Sequence, residues 1–392
     1  MKELGLRTET GLAITGTKAY LNEEKKDTAS LALLGELDAL RIPEHAHANP
    51  ETDAVHCCGH HAQMAGIFGA ALALTVPEIA EKLDGQVVFF ATPAEEYGEI
   101  GFKNELRAQA KIKYCGGKCE LLRIGAFDDI DLCLTHHIRP GNEILVGSGT
   151  GNGFVSKVIR VLGKASHAAG APEKGVNALS AASLGLQALG LNRETFRDED
   201  CVRVHPIITK GGNLVNVIPD EVVVETLVRG KTIEAFTDAA KKTDRSFKAG
   251  AIAMGAKVEI STLPGYLPTL AEEALPELKH AAEISASGIP VIEASGHAGG
   301  STDVGDVQHL MPVYTFNTGG VKGGLHQIDF EVTDEEEAYI VTAKMFALAA
   351  YGLLKEKAQR SRELVDQYEP VFKNSAEYVE FMEQFDSKEI FE

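Results

Sequence analysis

Residues 61–91 read HAQMAGIFGAALALTVPEIAEKLDGQVVFFA. The first 23 of these are Ala-rich and have the look of a helix; after Asp84-Gly85 the run QVVFFA is a short apolar strand. The same kind of strand occurs upstream at 30–37 (SLALLGEL) and downstream at 131–135 (DLCLT), with polar or turn residues at the boundaries. Strands spaced by a helical crossover of this kind predict a largely parallel sheet covered on both faces. The fold class expected for the first 150 residues is therefore α/β.

From Gly151 the rhythm changes. Residues 154–162 read as a strand, 176–189 as an apolar-striped helix, 201–209 and 222–228 as strands, 233–253 as a helix and 257–262 as a strand. The order βαββαβ is that of a ferredoxin-like α+β sandwich, which can close on its own. We therefore expect an inserted domain over 151–263, with the first domain resuming over 264–392 after PGYLP (264–268). In that second half, 290–294 and 313–317 are candidate strands and 333–354 a helix with an acidic first turn. The charged segment 355–392, with Tyr368, Phe372, Tyr378, Phe381 and Phe385, reads as helices on the rim or on a partner subunit.

Bulk composition narrows the function. The chain has 392 residues, 44% of them apolar, and a formal charge of -19 from 57 acidic and 38 basic residues. Such an acidic chain is a poor nucleic-acid binder, because that role needs clustered Lys and Arg. No apolar run reaches about 18 residues, so no membrane span is expected. The start MKELGLRTETG lacks the apolar core of a signal peptide. Six cysteines, with Cys57 and Cys58 adjacent, suit a reduced, cytoplasmic setting better than a disulfide scaffold.

Four clusters at strand ends carry the chemistry, where open α/β sheets keep their sites. His56-Cys57-Cys58-Gly59-His60-His61 offers thiolate and imidazole two residues apart, a spacing that puts both on one face of an extended segment. Glu95-Glu96 follows the strand QVVFF. Adjacent carboxylates repel unless a cation or a proton intervenes, and a hydrolytic metal site needs one as ligand and one as base. His136-His137 ends the strand DLCL, and His326 follows two glycines. Each has a plain alternative as a Cys/His-rich turn, a solvated acidic loop or a loop histidine; together they could supply a two-metal site. His167, in Ser-His-Ala-Ala (166–169), is either a polar turn or a donor to the oxyanion of a tetrahedral intermediate. Cys115 and Cys119 (CxxxC) have no neighbouring ligands and read as surface or packing thiols.

In this order the segments GELDAL (35–40), HCCGHH (56–61), PAEE (93–96), HHIRP (136–140), GKASHAAGAPEKGVNAL (163–179), GGNLVNVIPDE (211–221), STDVGDV (301–307) and GLHQIDF (324–330) resemble the aminoacylase and amidohydrolase metallopeptidases of peptidase family M20. Within it the chain is most similar to the aminobenzoyl-glutamate hydrolase branch. The resemblance implies a phosphorylase/hydrolase-like mixed-sheet catalytic domain with paired metals and a ferredoxin-like lid that dimerises. Carried over by motif, it implies Cys58, His60, Glu96, His137 and His326 as metal ligands, and Glu95 as general base. It implies His167 as the lid residue that reaches a site, often the neighbouring subunit's. Asn216 and Arg229 match lid positions that hold a substrate carboxylate, and Asp38 a support behind the ligands. The ions implied are two divalent metals, manganese or zinc, with cobalt and nickel compatible and thiolate softness favouring zinc.

Two departures stand out. Relatives of this pattern carry a longer helical segment ahead of the first strand, where only about 30 residues precede Ser30, so that segment is expected to be shortened and the sheet domain less covered. His61 stands where many relatives have Asp or Asn, which bears on metal tuning. Three functions compete: an amidohydrolase of N-acyl amino acids or aroyl-glutamates, a dipeptidase or aminopeptidase of the same family that selects a free α-amino group, and a non-catalytic relative that binds an amide ligand or partner. The expected partners are a small amide substrate and a second copy of the chain, with neither nucleic acid nor membrane.

Overall fold

The computed structural model describes residues 1–392. By compactness the chain divides into two units. The first comprises Met1–Thr150, Leu270–His297 and Asp303–Tyr378; the second comprises Gly151–Thr269, Ala298–Thr302 and Val379–Glu392.

The first unit is built on an eight-stranded sheet. Its order is Arg7–Leu12, Gly16–Leu21, Gln86–Thr92, Ser30–Glu36, Leu132–Ile138, Val313–Thr318, Ile144–Val146 and Val291–Glu293. The four central strands, from Gln86–Thr92 to Val313–Thr318, run parallel. Antiparallel pairing enters on both sides, through Gly16–Leu21 against Gln86–Thr92 and Ile144–Val146 against Val313–Thr318. The sheet is thus mixed around a parallel centre. Ser30–Glu36 is buried at every position, which is why it reads as a continuous apolar run instead of an alternating one.

One face of this sheet is covered by the helix His60–Leu74, by Pro276–Ser285 and by the long helix Thr342–Gln367. Ile67, Ala70, Leu74, Leu278, Met345, Phe346, Ala349 and Leu353 bury against Leu31, Leu33, Val87, Phe89, Leu132 and Leu134. The region before Ser30 forms the antiparallel hairpin Arg7–Leu12/Gly16–Leu21, which extends the sheet.

One helical stretch, Glu336–Gln367, is long and apolar enough on average to cross a membrane by length and composition, although Lys344 interrupts its apolar run. Its buried apolar residues, Met345, Phe346, Ala349 and Leu353 among them, belong to the core just described, and Ile340 is exposed. Its helical backbone is interrupted at Lys355–Ala358, where Glu356, Lys357 and Ala358 have positive φ. Of the two readings of Cys115 and Cys119, surface or packing thiols, the second holds. Both are buried, and Cys119 lies beside Asp306 and Tyr378, whose hydroxyl donates to Asp306 Oδ1 at 2.8 Å.

The second unit has its own six-stranded sheet. Arg203–Val204, Glu221–Gly230, Gly153–Leu162, Lys257–Tyr266 and Ser387–Phe391 follow one another, and Ile207–Lys210 also pairs with Glu221–Gly230. All pairings are antiparallel. Glu221–Gly230 alternates strictly between part-exposed and buried residues, the pattern of a strand with one covered face. The helices Ala178–Asn192 and Ile233–Met254 provide the cover, with Ala181, Ala182, Leu189, Phe247 and Ala251 packed on Ile159, Val161, Val222, Val224 and Ile260. The expected βαββαβ order is present, with the segment 201–209 split into two short strands. The C-terminal segment departs from expectation: Ser387–Phe391 is a strand that pairs with Lys257–Tyr266, so it belongs to this sheet and not to the first unit.

Candidate metal centre

Because the central strands of the first unit are parallel, their carboxyl ends share one edge, and Glu36 lies level with Thr92 there. The chain leaves Thr92 through Pro93-Ala94 into Glu95-Glu96, with Ala94 at φ 53°. Gly117 packs so close to this turn that a Cβ on it would sit 1.5 Å from Pro93 O.

His137 is on Leu132–Ile138, and its neighbour His136 faces the other way, because successive strand residues alternate. His136 is buried, with Nε2 2.8 Å from Thr318 Oγ1 and its ring packed on Phe316 and Phe346. It is a core histidine. The Nδ1 of His137 lies 2.7 Å from the Ile138 carbonyl, which fixes the proton there and leaves Nε2 as the donor atom for a metal.

Cys58 and His60 flank Gly59, whose φ of 84° turns the chain into the helix His60–Leu74. A Cβ at Gly59 would lie 2.0 Å from Ile138 Cγ2. Gly59→Ala therefore meets both a left-handed backbone cost of about 1–2 kcal/mol and a clash in a packed core. We expect a lower melting temperature and weaker metal binding together, read by thermal unfolding and by metal analysis of the same sample. An alanine variant that binds metal normally would show that this turn does not set the ligand geometry.

The ligand atoms fall into two triads that share one thiol. Cys58 Sγ, His60 and His137 form the first; Cys58 Sγ, Glu96 and His326 form the second, with donor atoms inside 4.8 Å of one another in each. Cys58 Sγ is 3.4 Å from His137 Nε2 and 3.2 Å from His326 Nε2, and His326 Nε2 is 2.9 Å from Glu96 Oε1. His326 has φ 63°, unusual for a residue with a Cβ, and its N–H donates to the Cys57 carbonyl at 3.0 Å. Asp38 ties the two halves together: its Oδ2 accepts from the Glu96 N–H at 2.8 Å and its carbonyl lies 3.0 Å from His60 Nδ1.

The charges suit a cation. Burial pushes the Cys58 thiol up to about 12. Burial alone would lower His60, but Glu36, Asp38 and Cys58 outweigh it and hold it up at about 12. In the protein alone both groups keep their protons, and a divalent ion binding to them would displace those protons. Sulfur, nitrogen and carboxylate donors in two triads that share the Cys58 thiol are a donor set that would suit divalent ions. His61 is not part of this set. Burial, then His56 and His60, lower it to about 4, and its ring packs against Tyr339 and Phe330.

Glu95 faces a different environment from Glu96. Burial, then the charges of Glu36 and Asp303, push its carboxyl well above the ordinary range, while Lys118 opposes them. In Glu96 burial is outweighed by His326 and its carboxyl is lowered. Adjacent carboxyls are thus split into one that holds a proton tightly and one that stays an anion.

Glu36, Lys118, Asp303 and Lys103 were not singled out from the sequence. Lys118 Nζ donates to Glu36 Oε1 at 2.6 Å and Asp303 Oδ1 at 2.7 Å, and Lys103 Nζ donates to the Glu96 carbonyl at 2.6 Å. These pairings join residues far apart in the chain, so no local pattern announces them.

His167, Asn216 and Arg229 lie in the second unit. The Asn216 carbonyl accepts from the Ala168 N–H at 3.0 Å, so Asn216 adjoins His167. The His167 Nδ1 accepts from the Gly170 N–H at 2.9 Å, which puts the ring proton on Nε2 as an outward donor. Arg229 lies near the far end of Glu221–Gly230, opposite Phe154, with its guanidinium 5.9 Å from that ring centre. At about 3.3 Å per strand residue, Arg229 is on the order of 30 Å from the His167–Asn216 end. Asn216 and Arg229 thus lie toward opposite ends of the second unit's sheet.

Known proteins place these features in context. A mouse Xaa-Arg dipeptidase is 28% identical over 311 residues, covering 77% of this chain; the chain spans just under two thirds (64%) of that protein's length. A Bacillus subtilis N-acetyl-L-cysteine deacetylase is 25% identical over 374 residues, 92% of this chain and 83% of the deacetylase. A p-aminobenzoyl-glutamate hydrolase chain from Escherichia coli is 30% identical over 239 residues, 59% of this chain and 44% of the hydrolase chain. Among solved structures, a dinuclear metal binding peptidase of the M20 family from Bacillus subtilis superposes with TM-score 0.60 at 23% identity, covering 90% of this chain and 89% of that one, a likeness of fold. The sequence matches peptidase family M20/M25/M40 over residues 32–351, and the chain belongs to that family.

Proposed function

We propose that this protein hydrolyses the amide bond of an N-acyl amino acid or aroyl-glutamate at a two-metal centre. Cys58, His60, Glu96, His137 and His326 would hold the ions and Glu95 would act as general base. The observation that carries the reading is the pair of ligand triads sharing Cys58 Sγ, with the Glu95 carboxyl beside His60 and Glu96. When bound, divalent ions polarise a carbonyl and acidify water. Glu95 then accepts the proton of the attacking water and hands it to the departing amine nitrogen. Asp38 and the Ile138 carbonyl hold the imidazoles of His60 and His137 in orientation.

His167 would donate its Nε2–H to the developing oxyanion and Arg229 would pair with the substrate carboxylate in two-point fashion. Asn216 would share the hold on that carboxylate, and a second copy of the chain, met through the second unit, is the proposed partner.

A dipeptidase is the second reading, favoured by the likeness to the Xaa-Arg dipeptidase. One experiment addresses both. Chelation should abolish hydrolysis, and manganese or zinc should restore it, across a panel of N-acylated amino acids, aroyl-glutamate and unblocked dipeptides. Preference for blocked substrates supports the amidohydrolase, and preference for a free α-amino group the dipeptidase. No turnover of any of them with either metal would sink both.

A further inference from the structure

Lys118 is 0% exposed, an extreme place for an ammonium group, and it is not one of the metal ligands. It is held from three directions. Its Nζ donates to Glu36 and to Asp303, and its backbone N–H donates to Asp303 Oδ2 at 2.8 Å. Glu36 in turn accepts from Gln63 Nε2 at 2.8 Å and lies 3.1 Å from His60 Nε2. Glu36, Glu95 and Asp303 also crowd together, with carboxylate oxygens inside 4.8 Å of one another. Three carboxylates this close need a cation among them, and in this pocket the chain supplies its own.

We propose that Lys118 is a positioning residue for the reaction: its ammonium is the built-in cation of the Glu36–Glu95–Asp303 pocket. It keeps Glu36 against His60 and Asp303 beside Glu95, and it stands where a further divalent ion would otherwise be drawn to the base. This rests on the reading of Glu95 as base and of His60 as ligand. The donor chemistry separates the two places. The carboxylate pocket is all oxygen, the set that hard magnesium and calcium ions take, whereas the Cys58 triads offer sulfur and nitrogen to softer ions.

The test is Lys118→Met, compared with the wild type and with the double variant Glu36→Gln/Lys118→Met, all loaded with manganese. Melting temperature is read with and without millimolar magnesium or calcium. The wild type should not respond. The single variant should melt lower and regain much of that loss when magnesium or calcium is added, because the ion replaces the ammonium. The double variant, which removes one carboxylate with the ammonium, should fold and lose the response. In turnover assays the single variant should lose about a hundredfold in kcat with little change in KM. A single variant that responds to magnesium no more than the wild type does would overturn the proposal. So would one that stays unfolded in magnesium, a double variant that keeps the response, or an unchanged kcat. The melting comparison needs no substrate, so a wild type inactive on every amide would refute the proposed function while the ion response still decides the role of Lys118.

Discussion

Glu95→Gln should reduce turnover by about 10²–10⁴-fold while the protein retains its full metal content. Glutamine keeps the shape of the side chain and cannot take a proton. The position matters because burial and the charges of Glu36 and Asp303 raise the proton affinity of Glu95, and an ordinary carboxylate would be a weak base toward water. The neighbouring Glu96 is held anionic by His326, so the two glutamates cannot exchange roles after mutation. Steady-state kinetics and metal analysis on one preparation test this. Turnover near the wild-type level would remove Glu95 from the mechanism, and loss of metal in the variant would make it a ligand instead.

A larger effect on metal content is expected from Cys58→Ala. The Cys58 sulfur belongs to both triads, so its removal should empty both, whereas His326→Ala touches only the second. Metal per chain should fall close to zero in Cys58→Ala and to about half in His326→Ala, with activity lost in both. The metal-free proteins should melt close together, since a part-exposed thiol contributes little packing. The gain in melting temperature on adding metal should vanish in the cysteine variant, because ligand stabilisation requires binding to the folded state. Retention of both ions without Cys58 would disprove the shared-thiol arrangement.

Much of this centre was legible because its donors sit at strand ends in short, chemically dense clusters. PAEE and HHIRP each follow or end an apolar strand whose ends the parallel sheet brings to one edge, and HCCGHH betrays itself by its density of thiol and imidazole. His136 and His137 could not be told apart from composition, and the strand's alternation decides between them. The pocket behind the base was illegible for a different reason. Glu36 lies inside a strand motif and Lys118 in an ordinary-looking GGKCELL, and their pairing spans 82 residues. Ion pairs of that reach leave no periodic trace in sequence. The hairpin at 7–21 and the strand Ser387–Phe391 escaped for a third reason: both are short and largely polar, and pairing with a partner strand decides their state.

That late strand has a consequence for biosynthesis. Lys257–Tyr266 presents one edge to Gly153–Leu162, and its other edge is covered only by Ser387–Phe391, reinforced by Lys388 with Glu259 and Lys248 with Glu389. As the chain emerges from the ribosome, the rest of this sheet is available long before its closing strand. A nascent chain therefore carries an open, hydrogen-bond-hungry edge through the synthesis of everything between Tyr266 and Ser387, the interval in which edge-to-edge association with other chains is most favoured.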